Sequence, residues 1–141
     1  MILDFTAPTK DQIKLVNDLV GQDYSLFEKI RLGGIGSHKM ILSNYSDGFK
    51  KLLRPNQNLI YGNIEIRPKG IIIHLSHVNS RFSWIVPFYR MSIFQSDDFA
   101  IHSSGEFLKF RIDGNFTKNK DYIQKLLRLK IESVGNVSPN Q

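Results

Sequence analysis

The chain has 141 residues, no cysteine and a net charge of +6. That length suits one domain with a core that needs no metal or disulfide staple, and the missing thiols exclude a disulfide framework, thiolate zinc sites and a cysteine nucleophile. The excess of 19 Lys/Arg over 13 Asp/Glu favours anionic partners, but it is spread along the chain rather than gathered on one element.

The opening Met1-Ile2-Leu3-Asp4-Phe5 lacks a basic n-region and a long apolar run, so no signal peptide is read and a cytoplasmic location is expected. No window approaches the ~18 apolar residues of a membrane-spanning helix. Residues 9–20 predict a helix: Thr9 as N-cap, Ile13, Val16 and Val20 in one stripe with Leu15 and Leu19 beside it, and Gly21 past the end. A second short helix, Ser25 to Arg31, is expected to turn Leu26, Phe27 and Ile30 to a core. Gly33-Gly34-Ile35-Gly36-Ser37 has no Lys-Ser/Thr after its last glycine and so is no Walker A loop. It lacks the strand and spacing of a dinucleotide fingerprint, and no amphipathic helix follows its GxxG, so it reads as a mobile linker.

His38 to Tyr45 is expected as a first strand, and Asp47 to Leu53 as one or two helical turns with Phe49, Leu52 and Leu53 inward, stopped by Pro55. From Asn58 the alternation sharpens, with Ile60, Ile64 and Ile66 against Tyr61, Asn63, Glu65 and Arg67. Arg67-Pro68-Lys69-Gly70 has the residues of a tight turn. Further strands are read at Ile71–Val78, Arg81–Pro87 (Phe82, Trp84 and Val86 on one face), Met91–Phe94, Phe99–His102 and Phe107–Ile112. The last helix, Lys120 to Ile131, carries Tyr122, Ile123, Leu126, Leu127 and Leu129 on its apolar face, with Lys125 and Arg128 opposite. Residues 133–141 read as a disordered tail.

No catalytic residue, metal ligand set or cofactor motif is assigned. His74 and His77 lie three apart on a strand and point to opposite faces, and His38 and His102 are remote from them. Asp97-Asp98 and Ser103-Ser104-Gly105 read as turns, and Glu106 with His102 as a cross-strand ion pair. Phe107 falls on the strand face opposite Leu108 and Phe110, beside Lys109 and Arg111, so these three are the candidate interaction surface. Aromatics beside cations also suit single-stranded nucleic acid.

A strand meander closed by one amphipathic helix, with Trp84-Ile85-Val86-Pro87-Phe88-Tyr89-Arg90-Met91 ahead of the last strands, resembles the bacterial pleckstrin-homology-like domains over residues 58–132 or 38–132. The resemblance implies a binding module. By analogy with its lipid-binding members, Arg67, Lys69 and Arg81 are the anion-binding candidates, although Gly70–Val78 contributes no Lys or Arg. Residues 9–31 would be an addition to such a domain. The expected architecture is α+β: an antiparallel curled sheet or partly open barrel of six to seven strands closed by a C-terminal helix. Residues 1–37 form a helical extension and Gly-rich linker, 38–132 the β-domain and 133–141 the tail. The expected function is a non-catalytic module binding a protein or small ligand; the alternative is a nucleic-acid-binding β-domain. The partners considered are a protein, an anionic ligand or nucleic acid, or a second copy at an edge near Pro87 or at the Phe107 face.

Overall fold

The computed structural model describes residues 1–53, 59–77 and 79–135. The expectations for Pro55, Asn58, Val78 and residues 136–141 lie outside these. Among the described residues, eight strands form one antiparallel sheet: β1 (Ile2–Asp4), β2 (Met40–Tyr45), β3 (Tyr61–Arg67), β4 (Gly70–His77), β5 (Ser80–Pro87), β6 (Ser92–Gln95), β7 (Asp98–Ser103) and β8 (Glu106–Arg111). Their order is β1-β5-β4-β3-β2-β8-β7-β6, so the sheet is open, with β1 and β6 at its edges. The helices are α1 (Lys10–Val20), α2 (Leu26–Leu32), α3 (Asp47–Lys50), α4 (Gly114–Thr117) and α5 (Lys120–Gly135). Among the described residues, no helix is long and apolar enough to cross a membrane.

The α+β class and the antiparallel sheet match the expectation; the strand count exceeds it by β1. Three residues alone carry too little alternation to predict a strand. They become one because β5 offers an edge, where Ile2 faces Trp84 and Asp4 faces Phe82. That pairing covers the edge of β5 from Phe82 to Ile85 and stops short of Pro87.

The main core lies on the inner face. Ile64, Ile66, Ile71, Ile73, Trp84 and Val86 meet Phe99, Ile101, Leu108 and Phe110 there, with Phe49 edge-on to Trp84 at 5.3 Å between ring centroids. From α5, Tyr122, Ile123 and Leu126 are buried in the same core. The Tyr122 hydroxyl lies 2.7 Å from the Ile35 carbonyl and 2.9 Å from that of Ile64, and burial, with the charge of Glu65, pushes its ionisation up. The helix continues through Ser133–Gly135, residues expected in the tail.

Gly33–Ser37 is ordered by hydrogen bonds rather than a loose linker. Gly33 caps α2 in the left-handed region at φ 76°, as glycine does at helix ends. The Ile66 N–H then donates to Ile35 O at 2.8 Å, and Ser37 N–H to Ile64 O at 2.9 Å, extending the sheet along β3.

A second, smaller core lies on the outer face. Val16 and Val20 of α1 pack on Ile72 and Ile85, flanked by Leu3, Phe5 and Leu19. Thr9 caps α1 as predicted, in a reciprocal box with Gln12. β4 is thus buried on both faces, which explains why Ile71-Ile72-Ile73 runs apolar without alternation. The turn of the β3–β4 hairpin fits under α1 through Gly70, where a Cβ would strike the Val86 carbonyl, Pro87 Cα at 2.8 Å and Val20 Cγ1 at 2.8 Å. Gly70→Ala is therefore expected to cost about 1–3 kcal/mol, the usual scale of overpacking. Urea denaturation would read it; an unchanged midpoint would mean that α1 is not seated on this hairpin.

Candidate interaction surface on the sheet

The outer face is divided. At the Arg67–Gly70 end of β3–β5 it is covered by α1 and by a buried polar chain, while Tyr61, Ser76 and Arg81 at the opposite end of these strands are exposed. Glu65 and Arg67 on β3, His74 on β4 and Ser83 on β5 share this face, because His74 pairs directly with Ser83 and lies diagonal to Glu65. The His74 ring lies with Nε2 3.0 Å from a Glu65 carboxylate oxygen and Nδ1 2.8 Å from Ser83 Oγ. A neutral imidazole satisfies both bonds, donating to the carboxylate and accepting from the hydroxyl. Arg67 Nε donates to the other Glu65 oxygen at 2.5 Å, and its Nη1 reaches Asn17 Oδ1 at 3.1 Å and the Gly21 carbonyl at 3.0 Å.

Serine, histidine and carboxylate in one hydrogen-bonded row invite comparison with a hydrolase triad. Ser83 is 0% exposed, however, so its hydroxyl has no room for a substrate. The row instead fastens the C-terminal end of α1 to the sheet. Burial pushes the Glu65 carboxyl up, but hydrogen bonds from His74 and Arg67 and the guanidinium charge outweigh it and hold the carboxyl at about 2.

Over β6–β8 the outer face is open. Ser92, His102 and Phe107 are cross-strand neighbours, as are Phe94, Ala100 and Lys109. Phe94 stands 59% exposed and meets the His102 ring edge-on at 5.2 Å. On its other side His102 lies 5.4 Å from the Phe107 ring, over which Lys109 Nζ sits at 5.4 Å. The result is a diagonal aromatic row topped by a cation. Asp98 faces Arg111 across the strands, and Asp97, Asp98 and Lys109 line one shallow depression of about 250 Å³ beside Phe94 and His102.

The structure therefore brings Phe107, Lys109 and Arg111 onto one face and adds Phe94 and His102. Phe94 was missed because its strand was read without assigning its face, and His102 because it was expected to pair with Glu106. That expectation is corrected: Glu106 turns to the β2 end, where its carboxylate accepts from Ser46 Oγ and from the Gly48 N–H. The period-2 alternation of Phe107 with Leu108 was the signal that found this face, and the same parity applied to β6 and β7 points to Phe94 and His102.

Arg67, Lys69 and Arg81 do not converge. Arg67 is committed to Glu65 and α1. Lys69 sits in the β3–β4 turn, while Arg81 pairs with Ser76 at the far end of β4, about 20 Å along the strand at ~3.4 Å per residue. Among the described residues, no cluster of His, Asp and Glu is placed to hold a metal ion. No family model matches the chain, and neither does any curated protein or solved structure.

The depressed Glu65 carboxyl has a stability consequence. A group lowered from about 4.5 to about 2 contributes stability that is complete above its unfolded value and lost as pH falls towards about 2. Allowing for solvent screening, about 2 kcal/mol is expected. Denaturation of the wild type and Glu65→Gln across acid pH should give profiles that converge by that amount; parallel profiles would dismiss the network.

Proposed function

We propose that the chain is a non-catalytic, pleckstrin-homology-like interaction module that binds a protein partner on the outer face of β6–β8. The observation that carries this reading is the aromatic row Phe94–His102–Phe107 with Lys109 above it, on a face of the sheet that α1 covers only over part of β3–β5. Large rings held by strands lose little entropy on binding, and aromatics concentrate binding energy at interfaces.

The pleckstrin-homology-like assignment draws support from two features. Without β1 the strand order runs β5-β4-β3-β2-β8-β7-β6, two meanders joined through β2 and β8. A C-terminal helix lies against the inner side through Tyr122, Ile123 and Leu126, in the position of a closing helix.

Mixed charge favours a protein over nucleic acid. Asp97 and Asp98 stand beside Lys109, and their carboxylates would repel a phosphate backbone. The second reading, a single strand stacking on the rings, rests on the cation over Phe107. A photo-crosslinking residue placed at Phe94 in cells should give a discrete protein adduct that Phe107→Ala with Lys109→Glu lowers about tenfold, a loss of ~1.4 kcal/mol. No adduct above that from the same residue at Arg81 would count against the proposal. Salt-steep binding of an oligothymidylate to the purified chain, lost in the same double variant, would move the reading to nucleic acid.

A further inference from the structure

We propose that α2, with the basic groove beside it, is a docking site for an acidic amphipathic helix of a partner protein, separate from the β6–β8 face. α2 is turned inside out. Leu26 and Phe27 are each 75% exposed and Ile30 is 70% exposed, whereas the charged Glu28 and Lys29 are half-buried. The sequence pattern had assigned the three apolar residues to a core; no residue of α2 is buried in one. A helix on a protein surface normally presents the opposite face.

The inverted helix is held in place by polar bonds. Ser25 caps its start, and Lys29 pairs with Asp23 at 2.9 Å. Lys125 of α5 donates to the carbonyls of Leu32 at 3.0 Å and Gly34 at 2.5 Å, clamping the C-terminal end. The apolar ridge is thus preorganised, which lowers the entropy a partner must overcome.

The ridge leads into a groove of about 850 Å³ between the end of α2 and α4–α5. Arg31, Lys118, Lys125 and Arg128 line it, with Asp121 as the acidic side chain among the described lining residues. Charge decides the occupant. A second copy would set these cations against their own counterparts, and a flat bilayer does not enter a concave groove. A partner helix with apolar side chains at i and i+3 or i+4 matches Leu26, Phe27 and Ile30, and carboxylates on its neighbouring turn would reach the cations.

The probe is a fluorescent peptide of Leu and Glu at helical spacing, titrated onto the full chain. Controls are a scrambled peptide of the same composition and vesicles of phosphatidylcholine with and without phosphatidylserine. Binding of the ordered peptide should weaken at least about tenfold in Phe27→Ser/Ile30→Ser. Arg31→Glu/Arg128→Glu should weaken it similarly and flatten its salt dependence. Because these residues are exposed, the variants should stay within about 0.5 kcal/mol of wild-type stability, the Arg128–Glu132 pair at 3.8 Å being the ion pair broken, and Phe107→Ala should leave the affinity unchanged. Equal binding of the scrambled peptide would overturn the proposal, as would indifference to Phe27→Ser/Ile30→Ser. So would vesicle binding without peptide binding, or a dimer that Phe27→Ser disperses.

Discussion

The guanidinium of Arg67 is the constraint on which the surface of this fold depends. It lies on the outer face of the sheet, where a lone charge would be costly, and it is satisfied on both sides: by Glu65 in its own strand and by Asn17 of α1 and the Gly21 carbonyl at that helix's C-cap. Through Glu65 it engages His74, and through His74 it engages Ser83, so one polar chain crosses three strands and ends on a helix. Val16 and Val20 then pack beside it on Ile72 and Ile85. Removing one member would leave buried partners unpaired, a heavier loss than the bond itself. With α1 fixed there, the outer face is closed over the Arg67–Gly70 end of β3–β5, and β6–β8 carry the exposed Phe94 beside the half-buried rings of His102 and Phe107.

The inner core was legible because strands announce themselves by period 2. Ile64 and Ile66, Phe82, Trp84 and Val86, and Leu108 and Phe110 all lie where alternation puts them. So does the apolar face of α5, and the cap at Thr9 fixed the start of α1. The outer face was less legible, since it depends on what lies over each strand. Ile72 between Ile71 and Ile73 hinted at burial on both sides, yet nothing local named α1 as the cover. Glu65, His74 and Ser83 come together only once the register of β3, β4 and β5 is known. α2 shows the same limit in reverse: its stripe is real, but a stripe does not say whether the core or a partner covers it.

The two proposed binding surfaces are built in different ways. On β6–β8 the strand ladder holds rings and both signs of charge at fixed spacing, a surface for selecting a partner by shape. At α2 a short helix with no fully buried residue is held by Lys125 and its caps beside a largely cationic groove. A short helix of this kind has little stability of its own, so the clamp from α5 is what keeps its apolar side chains presented.

The division of the outer face is the central claim, and the absence of native cysteine allows a direct test. Ser83→Cys and Ser92→Cys place one thiol each on the same sheet face, the first under α1 and the second on open β6. Thiol exchange with a soluble disulfide reagent under native conditions should be fast at position 92. At position 83 it should be slower by on the order of a thousandfold, because it waits for an opening of the structure. Comparable rates at the two positions would contradict the account, since the outer face at position 83 would then not be covered.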